Sequence, residues 1–190
     1  MTAYSVYNLD FSLFNLSPDQ FARESKIHGI KHTYRVMLHC LRLGMLTGMM
    51  RKAKVAFFGA YIHDMARTHD GYCTIHGAEA ARKLPAYKQL FNSQGATDED
   101  LKIIAQIVTR HSLREELPRD HAYYDYLAIL KDADALDRIR LGRNDLNPSY
   151  LRIRETHECI RFAEELYYLT DTRELTTFTD ILALADHSAI

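Results

Sequence analysis

The chain has 190 residues, of which 47% are hydrophobic and 26% are charged, as expected for one soluble globular domain with its own core. Because 24 basic residues stand against 25 acidic ones, the balanced charge gives no reason to expect nucleic acid or an anionic membrane as a partner. The three cysteines are widely spaced and form no CxxC pair, which indicates reduced thiols. The start of the chain has no signal-peptide pattern, so we expect a cytoplasmic protein.

Helical periodicity and helix-start signals run through most of the chain. Ser17 precedes Pro18, and Thr97 precedes three acidic residues, both of which are typical helix starts. No segment alternates with a period of two, so the sequence predicts an all-α protein forming a single domain over residues 1–190. Pro85 is expected to break the fourth helical segment. The predicted helical segments are 17–26, 32–50, 52–66, 74–91, 97–111, 123–141, 149–169 and 179–187.

Histidine and aspartate residues lie on the apolar stripes of four predicted helices, at His32, His63 with Asp64, His111 and Asp134. Each stripe has helical spacing, so these side chains are expected to face the core. A buried carboxylate is costly unless it is paired or bound to a metal. Imidazole and carboxylate groups suit divalent Zn, Fe or Mn, and separate helices of a bundle commonly supply such ligands. The pattern therefore predicts a metal site.

Three segments resemble, in order, the motif H…HD…D of the HD-domain metal-dependent phosphohydrolase superfamily: "HGIKHTYRV", "YIHDMAR" and "LKDADALDRIR". The resemblance covers about residues 28–140 and implies a compact bundle of about five core helices, with further helices at both ends. Residues 147–190 would form a C-terminal helical extension. The ligands that the resemblance implies for a first metal are His32, His63, Asp64 and Asp134.

The segment "HDMARTHDGYCTIHGAEAA" is similar to a binuclear subset of this superfamily, in which Arg, a DG loop and a helix starting with HG follow the HD pair. Two further histidines then lie before the last aspartate, and His76 and His111 match them. The resemblance implies two divalent transition metal ions (Fe, Mn, Zn, Co or Ni), with Asp64 as the bridging carboxylate. A single metal, held without these two histidines, is the alternative.

The activity implied is hydrolysis of a phosphate ester of a nucleotide or another small molecule by a metal-activated water. Asp64 would be catalytic through the metals it bridges. Arg67 lies where the superfamily often has a basic residue, and we expect it to be catalytic and to bind the substrate phosphate. Arg35, three residues after His32, is a second candidate for substrate binding. His28, one turn before His32, is a candidate proton donor to the leaving group.

Other interpretations of the same residues stay open. The ligand order also resembles the di-iron oxygenases of the superfamily, of the myo-inositol oxygenase type, which cleave C–C or C–P bonds. A non-catalytic module that binds a nucleotide is a third function. His76 could be an exposed residue in the first turn of its helix, and His111 could instead interact with a helix dipole. Arg67 could simply bind carbonyl groups at a helix end.

Three further acidic residues near these motifs are not assigned to the site. The second His-Asp pair, His69 and Asp70, has no apolar stripe leading to it and predicts a solvated loop at the mouth of the site, with a loop that contacts the substrate as the alternative. Asp132 and Asp137 flank Asp134, and we expect them to point away from the site and to serve in capping, at the surface or in salt bridges.

Overall fold

The computed structural model describes residues 3–142 and 144–187, and in these residues the only regular secondary structure is helical. The all-α prediction is therefore confirmed. The predicted domain over residues 1–190 includes residues 1–2, 143 and 188–190, which lie outside the described residues. The α-helices of the described chain are α1 (Ile30–Thr47), α2 (Met50–Ile62), α3 (His76–Ala81), α4 (Leu84–Ser93), α5 (Asp98–His111), α6 (Tyr124–Leu136), α7 (Ile160–Asp171) and α8 (Phe178–His187).

Helix α2 is the centre of the bundle. It packs against α1, α5 and α6, and every residue from Val55 to Ile62 is buried. A helix that is apolar on all sides can only be stable inside the protein, which is why this segment is surrounded by the other three helices. The end of α2 is thereby placed in the interior, between the start of α1, the end of α5 and the end of α6.

Local signals in the sequence set several helix boundaries. Thr97 and Asp100 form a capping box at the start of α5, in which each side chain accepts a hydrogen bond from the other residue's backbone N–H. Pro85 lies in the first turn of α4, so the predicted break between α3 and α4 is confirmed. Helix α1 ends at Gly48, whose φ of 72° lies in the left-handed region that glycine adopts without strain.

Two predicted helices are not formed as expected. The segment 17–26 contains only a 3₁₀ turn at Pro18–Gln20. The backbone N–H of Ala22 donates to Met65 O (2.8 Å) and so cannot continue a helix. In the predicted helix 149–169, the part before α7 contains only 3₁₀ turns. An α-helix does not form there because the backbone N–H groups of residues 152 and 153 donate to the carboxylate of Asp132. Both predictions were therefore wrong in these parts.

No helix of the described chain combines the length and the apolar character that a membrane crossing requires.

Candidate metal centre

Six side chains, from five helices or the residues directly after them, meet at the end of α2. His32 lies in the first turn of α1, His63 and Asp64 directly follow α2, and Asp134 lies near the end of α6. The six predicted metal ligands are thus brought together: His32, His63, Asp64, His76 at the start of α3, His111 at the end of α5, and Asp134. The four histidines and Asp64 are each at most 8% exposed, whereas the Asp134 side chain is 33% exposed. The donor set therefore reaches solvent on the Asp134 side.

The four histidines form two pairs with a carboxylate between them. The Nε2 atoms of His32 and His63 are 3.1 Å apart, and those of His76 and His111 are 3.0 Å apart. Asp64 Oδ2 lies 3.4 Å from His32 Nε2 and 3.7 Å from His63 Nε2. Its Oδ1 lies 3.2 Å from His76 Nε2 and 3.7 Å from His111 Nε2. One carboxylate oxygen therefore faces each histidine pair.

The hydrogen bonds at Nδ1 determine where the ring protons lie. In three of the histidines Nδ1 is bonded to the backbone carbonyl oxygen three residues earlier: His63 to Ala60 (2.7 Å), His76 to Cys73 (3.0 Å) and His111 to Val108 (2.6 Å). A carbonyl oxygen only accepts, so each Nδ1 carries a proton, and each ring in its neutral form presents the lone pair of Nε2.

These lone pairs face one another at about 3 Å, an arrangement that requires a cation or added protons between them. Two nitrogens that bind one ion at about 2.0–2.1 Å, at angles between about 90° and 110°, lie about 2.8–3.4 Å apart. The observed 3.0 and 3.1 Å fall in that range. The donors present therefore fit a divalent metal ion.

The protonation state of His63 agrees with this interpretation. Burial lowers the pKa of His63 to about 3, so its imidazole is neutral at neutral pH. A buried carboxylate among buried imidazoles is a ligand set that suits a metal ion.

His32 differs from the other three histidines, since its Nδ1 is bonded to a carboxylate oxygen, Asp137 Oδ2, at 2.7 Å. Burial raises the pKa of Asp137, but Arg35 and the hydrogen bond from His32 outweigh it and keep this carboxyl ionised. The expectation that Asp137 points away from the site was wrong, whereas its expected role in a salt bridge is confirmed by the ion pair with Arg35. A signal was available, because a residue three positions after Asp134 lies on the same helix face.

Arg35 is buried and its guanidinium is bound to other groups. It donates to both carboxylate oxygens of Asp137 and to Thr170 Oγ1 at 3.1 Å. This placement does not support the predicted substrate-binding role, and Arg35 instead supports the acceptor of His32.

Arg67 lies beside the donor set, as expected. Its Nε donates to Asp64 Oδ1 (3.0 Å) and its Nη1 donates to Gly71 O (3.1 Å). The carbonyl contact is the alternative that the sequence left open, and the contact with Asp64 places the guanidinium next to a candidate metal ligand. Its Nη2 makes no hydrogen bond with any residue that the structure describes, so two N–H groups of the guanidinium have no acceptor in the described chain.

His28 and Asp70 interact at the mouth of the site. His28 Nδ1 lies 3.0 Å from Asp70 Oδ1, and Ser25 Oγ donates to the same oxygen at 2.6 Å. Burial lowers the pKa of His28 to about 4 even though Asp64 and Asp70 act in the opposite direction. His28 is therefore neutral at neutral pH and is not a charged proton donor there. Asp70 lies in a loop and its side chain is 32% exposed, as predicted, but its carboxylate is also bonded to Ser25 and His28.

A comparison with protein families identifies the fold around these residues. The family model of the HD domain matches residues 29–139, more than half of the chain. The chain belongs to the HD domain family. No curated protein and no solved structure matches it. The HD domain is of the metal-dependent phosphohydrolase type, and its divalent-metal chemistry agrees with the His and Asp clusters of this chain. Helices α7 and α8 lie outside the matched residues of this HD domain.

Proposed function

We propose that this HD domain is a metal-dependent phosphohydrolase or phosphodiesterase that cleaves a phosphate ester of a nucleotide or another small molecule. The supporting observation is one buried carboxylate, Asp64, that faces a histidine pair with each of its oxygens. Such a carboxylate is suited to bridge two divalent ions. Binuclear sites of this kind are used in phosphate-ester hydrolysis.

The proposed ligands divide into two groups that share Asp64. Those of the first metal are His32, His63, Asp64 and Asp134, and those of the second are Asp64, His76 and His111. The two ions, when bound, supply acidification of a water molecule and charge neutralisation of the phosphoryl group.

The residues of the chain prepare the site for this chemistry. The carbonyl groups that bind Nδ1 of His63, His76 and His111 fix the rings before a substrate arrives, so no reorganisation is needed during the reaction. Burial of the donor set keeps water away from all but the Asp134 side. Arg67, fixed by Asp64, presents its Nη2 group to a phosphate oxygen.

A di-iron oxygenase is the competing enzyme class, because four imidazoles and two carboxylates also suit iron. A non-catalytic nucleotide-binding module is the third candidate. The complete donor set supports an enzyme, since a module that only binds nucleotides has no need for six converging metal-type ligands.

The test combines two assays on protein reconstituted separately with Mn²⁺, Fe²⁺, Zn²⁺, Co²⁺ and Ni²⁺. We expect metal-dependent hydrolysis of p-nitrophenyl phosphate, bis-p-nitrophenyl phosphate or a nucleotide, without oxygen uptake. His63→Ala should abolish it, and the distant surface variant Asp125→Asn should not. Oxygen consumption with a phosphonate or a polyol would identify an oxygenase. Full metal loading without any turnover would favour the binding module.

A further inference from the structure

The acceptor of His32 Nδ1 distinguishes this histidine from the other three. His63, His76 and His111 each donate to a backbone carbonyl of their own local segment. His32 instead donates to a side chain from another element, Asp137, in the 3₁₀ turn that follows α6. The orientation of the His32 ring therefore depends on what holds Asp137.

Asp137 is held mainly by Arg35 of α1. The guanidinium donates through Nε to Oδ1 and through Nη2 to Oδ2 (3.0 Å), a two-point contact between two buried groups. Arg140 Nη1 lies further away, 3.6 Å from Oδ2. The planar fork of Arg35 fixes the plane of the carboxylate, and any movement of Arg35 is passed on to the acceptor of His32.

Arg35 is in turn held by α7. Its Nη1 donates to Thr170 Oγ1 at 3.1 Å, and its guanidinium lies over the ring of Tyr167, 5.2 Å from the ring centroid. Thr170 is fully buried, and its hydroxyl donates to Leu166 O at 2.8 Å. This bond within the helix fixes the hydroxyl group, so that its oxygen can accept the hydrogen bond from Arg35. Helix α7 thus contacts Arg35 with both a hydroxyl and an aromatic face.

We propose that Thr170 and Tyr167 are positioning residues for the metal ligand His32, acting through Arg35 and Asp137. The C-terminal extension, which lies outside the residues matched by the family, thereby sets the affinity of one metal site. The proposal rests on the proposed metal centre, because His32 must be a ligand for its position to matter.

The chemistry of the contact explains why a single hydroxyl has this effect. When Thr170 loses its oxygen, one guanidinium N–H of Arg35 is left buried without an acceptor, which is unfavourable. Arg35 then moves or rotates to find another acceptor, and its two-point contact with Asp137 is distorted. Among the described residues, His76 and His111 do not contact Thr170, Arg35 or Asp137, and they are linked to His32 through the shared ligand Asp64. We therefore expect their metal site to be affected less than that of His32.

The test measures metal affinity in the full-length, metal-free protein by Co²⁺ titration against a competing chelator, with the absorption spectrum of bound Co²⁺ as a second signal. Thr170→Val removes the hydroxyl at constant shape, and Thr170→Ser keeps it. We expect Thr170→Val to weaken one equivalent of metal by about three- to tenfold, less than the about 10- to 100-fold typical of a direct partner of a ligand. Thr170→Ser should stay within about twofold of the wild type, and Asp137→Asn should weaken the same equivalent more strongly.

Each other outcome is informative. Wild-type affinity for both equivalents in Thr170→Val would overturn the proposal. Equal weakening of both equivalents would overturn it as well, because a purely structural role of Thr170 lowers the stability of the protein without selecting one metal site. If Thr170→Val does not fold, Tyr167→Leu compared with Tyr167→Phe provides the same test at the aromatic contact. If the wild-type protein binds no Co²⁺, the metal centre itself is refuted. If only the Thr170 variants fail to show the expected change, the metal centre stands and only the role of Thr170 is refuted.

Discussion

Replacing Gly77 by alanine is expected to damage one half of the metal centre selectively. Gly77 lies next to His76 in α3, where that helix approaches the end of α5. A Cβ at this position would lie 2.5 Å from Val108 O and 3.0 Å from Thr109 O. Carbon–oxygen contacts of this kind are normally about 3.3–3.6 Å, so α3 must move by about 0.8–1.1 Å. Val108 O is also the acceptor of His111 Nδ1.

Gly77→Ala is expected to affect metal binding more than the stability of the fold. Forced overpacking costs about 1–3 kcal/mol, and the better helix propensity of alanine returns about 1 kcal/mol, so the net loss of stability is about 0–2 kcal/mol. A shift of about 1 Å lengthens the distance between His76 and His111 beyond the about 2.8–3.4 Å that one ion spans. Because ligand positions must hold within about 0.5 Å, we expect the metal at these histidines to be lost.

The assay is the number of metal equivalents retained after gel filtration, together with thermal unfolding of the metal-free protein. Gly77→Ala should retain about half of the wild-type metal. Gly71→Ala is the control, because its Cβ would meet only ring atoms of His69, the nearest at 3.3 Å. Retention of both equivalents by Gly77→Ala with wild-type affinity would refute this reasoning.

Three further predictions concern other parts of the structure. His39 is fully buried, neither ring nitrogen has a partner among the described residues, and burial lowers its pKa to about 3. Since the unfolded chain takes up this proton near pH 6.5, stability should fall as the pH drops from about 6.5 towards 3. His39→Leu should flatten that dependence in urea unfolding of the metal-free protein and add about 1 kcal/mol at pH 7; parallel curves for the two proteins would contradict it. Asp132 accepts hydrogen bonds from the backbone N–H groups of Arg152 and Ile153 and from the Arg152 guanidinium. Asp132→Ala should therefore lower the free energy of unfolding by about 3–5 kcal/mol and make residues 147–187 sensitive to limited proteolysis. Unchanged resistance to the protease would contradict this role of Asp132. Arg67→Lys keeps the positive charge but loses the planar fork of the guanidinium. We expect kcat/KM for a phosphate ester to fall about 10- to 100-fold at unchanged metal content. An unchanged kcat/KM would show that Arg67 does not bind the substrate.

Helical phase made most of the donor set predictable from the sequence, whereas His76 was assigned only by the resemblance to the binuclear subset of the superfamily. His63 ends a helix that is apolar on every side, and His111 and Asp134 each continue an apolar stripe, so their convergence required only that these helices pack together. The two predicted helices that did not form show the opposite case. Their backbone N–H groups are used by distant acceptors, Met65 O and the Asp132 carboxylate, and no local pattern contains that information.

The residues that hold the donor set in place were harder to predict, because their contacts are with residues that are distant along the chain. Arg35 shares a face with His32, but phase on one helix does not tell whether a side chain meets a substrate or a neighbouring carboxylate. Asp70 lies in a loop whose path is set by tertiary contacts, among them the contact with His28. The partner of Arg35 on α7, Thr170, lies 135 positions away along the chain. Such contacts follow from packing and not from periodicity.

The central claim is that Asp64 bridges two metal ions, and metal content tests it most directly. Wild-type protein and Asp64→Asn, which keeps the shape and removes the charge, would be reconstituted with one divalent metal and analysed by mass spectrometry, with Asp125→Asn as a surface control. The bridging role predicts two equivalents in the wild type and the control, and a fall towards zero in Asp64→Asn with the fold intact by circular dichroism. Wild-type protein without bound metal, or two equivalents retained in Asp64→Asn, would contradict it.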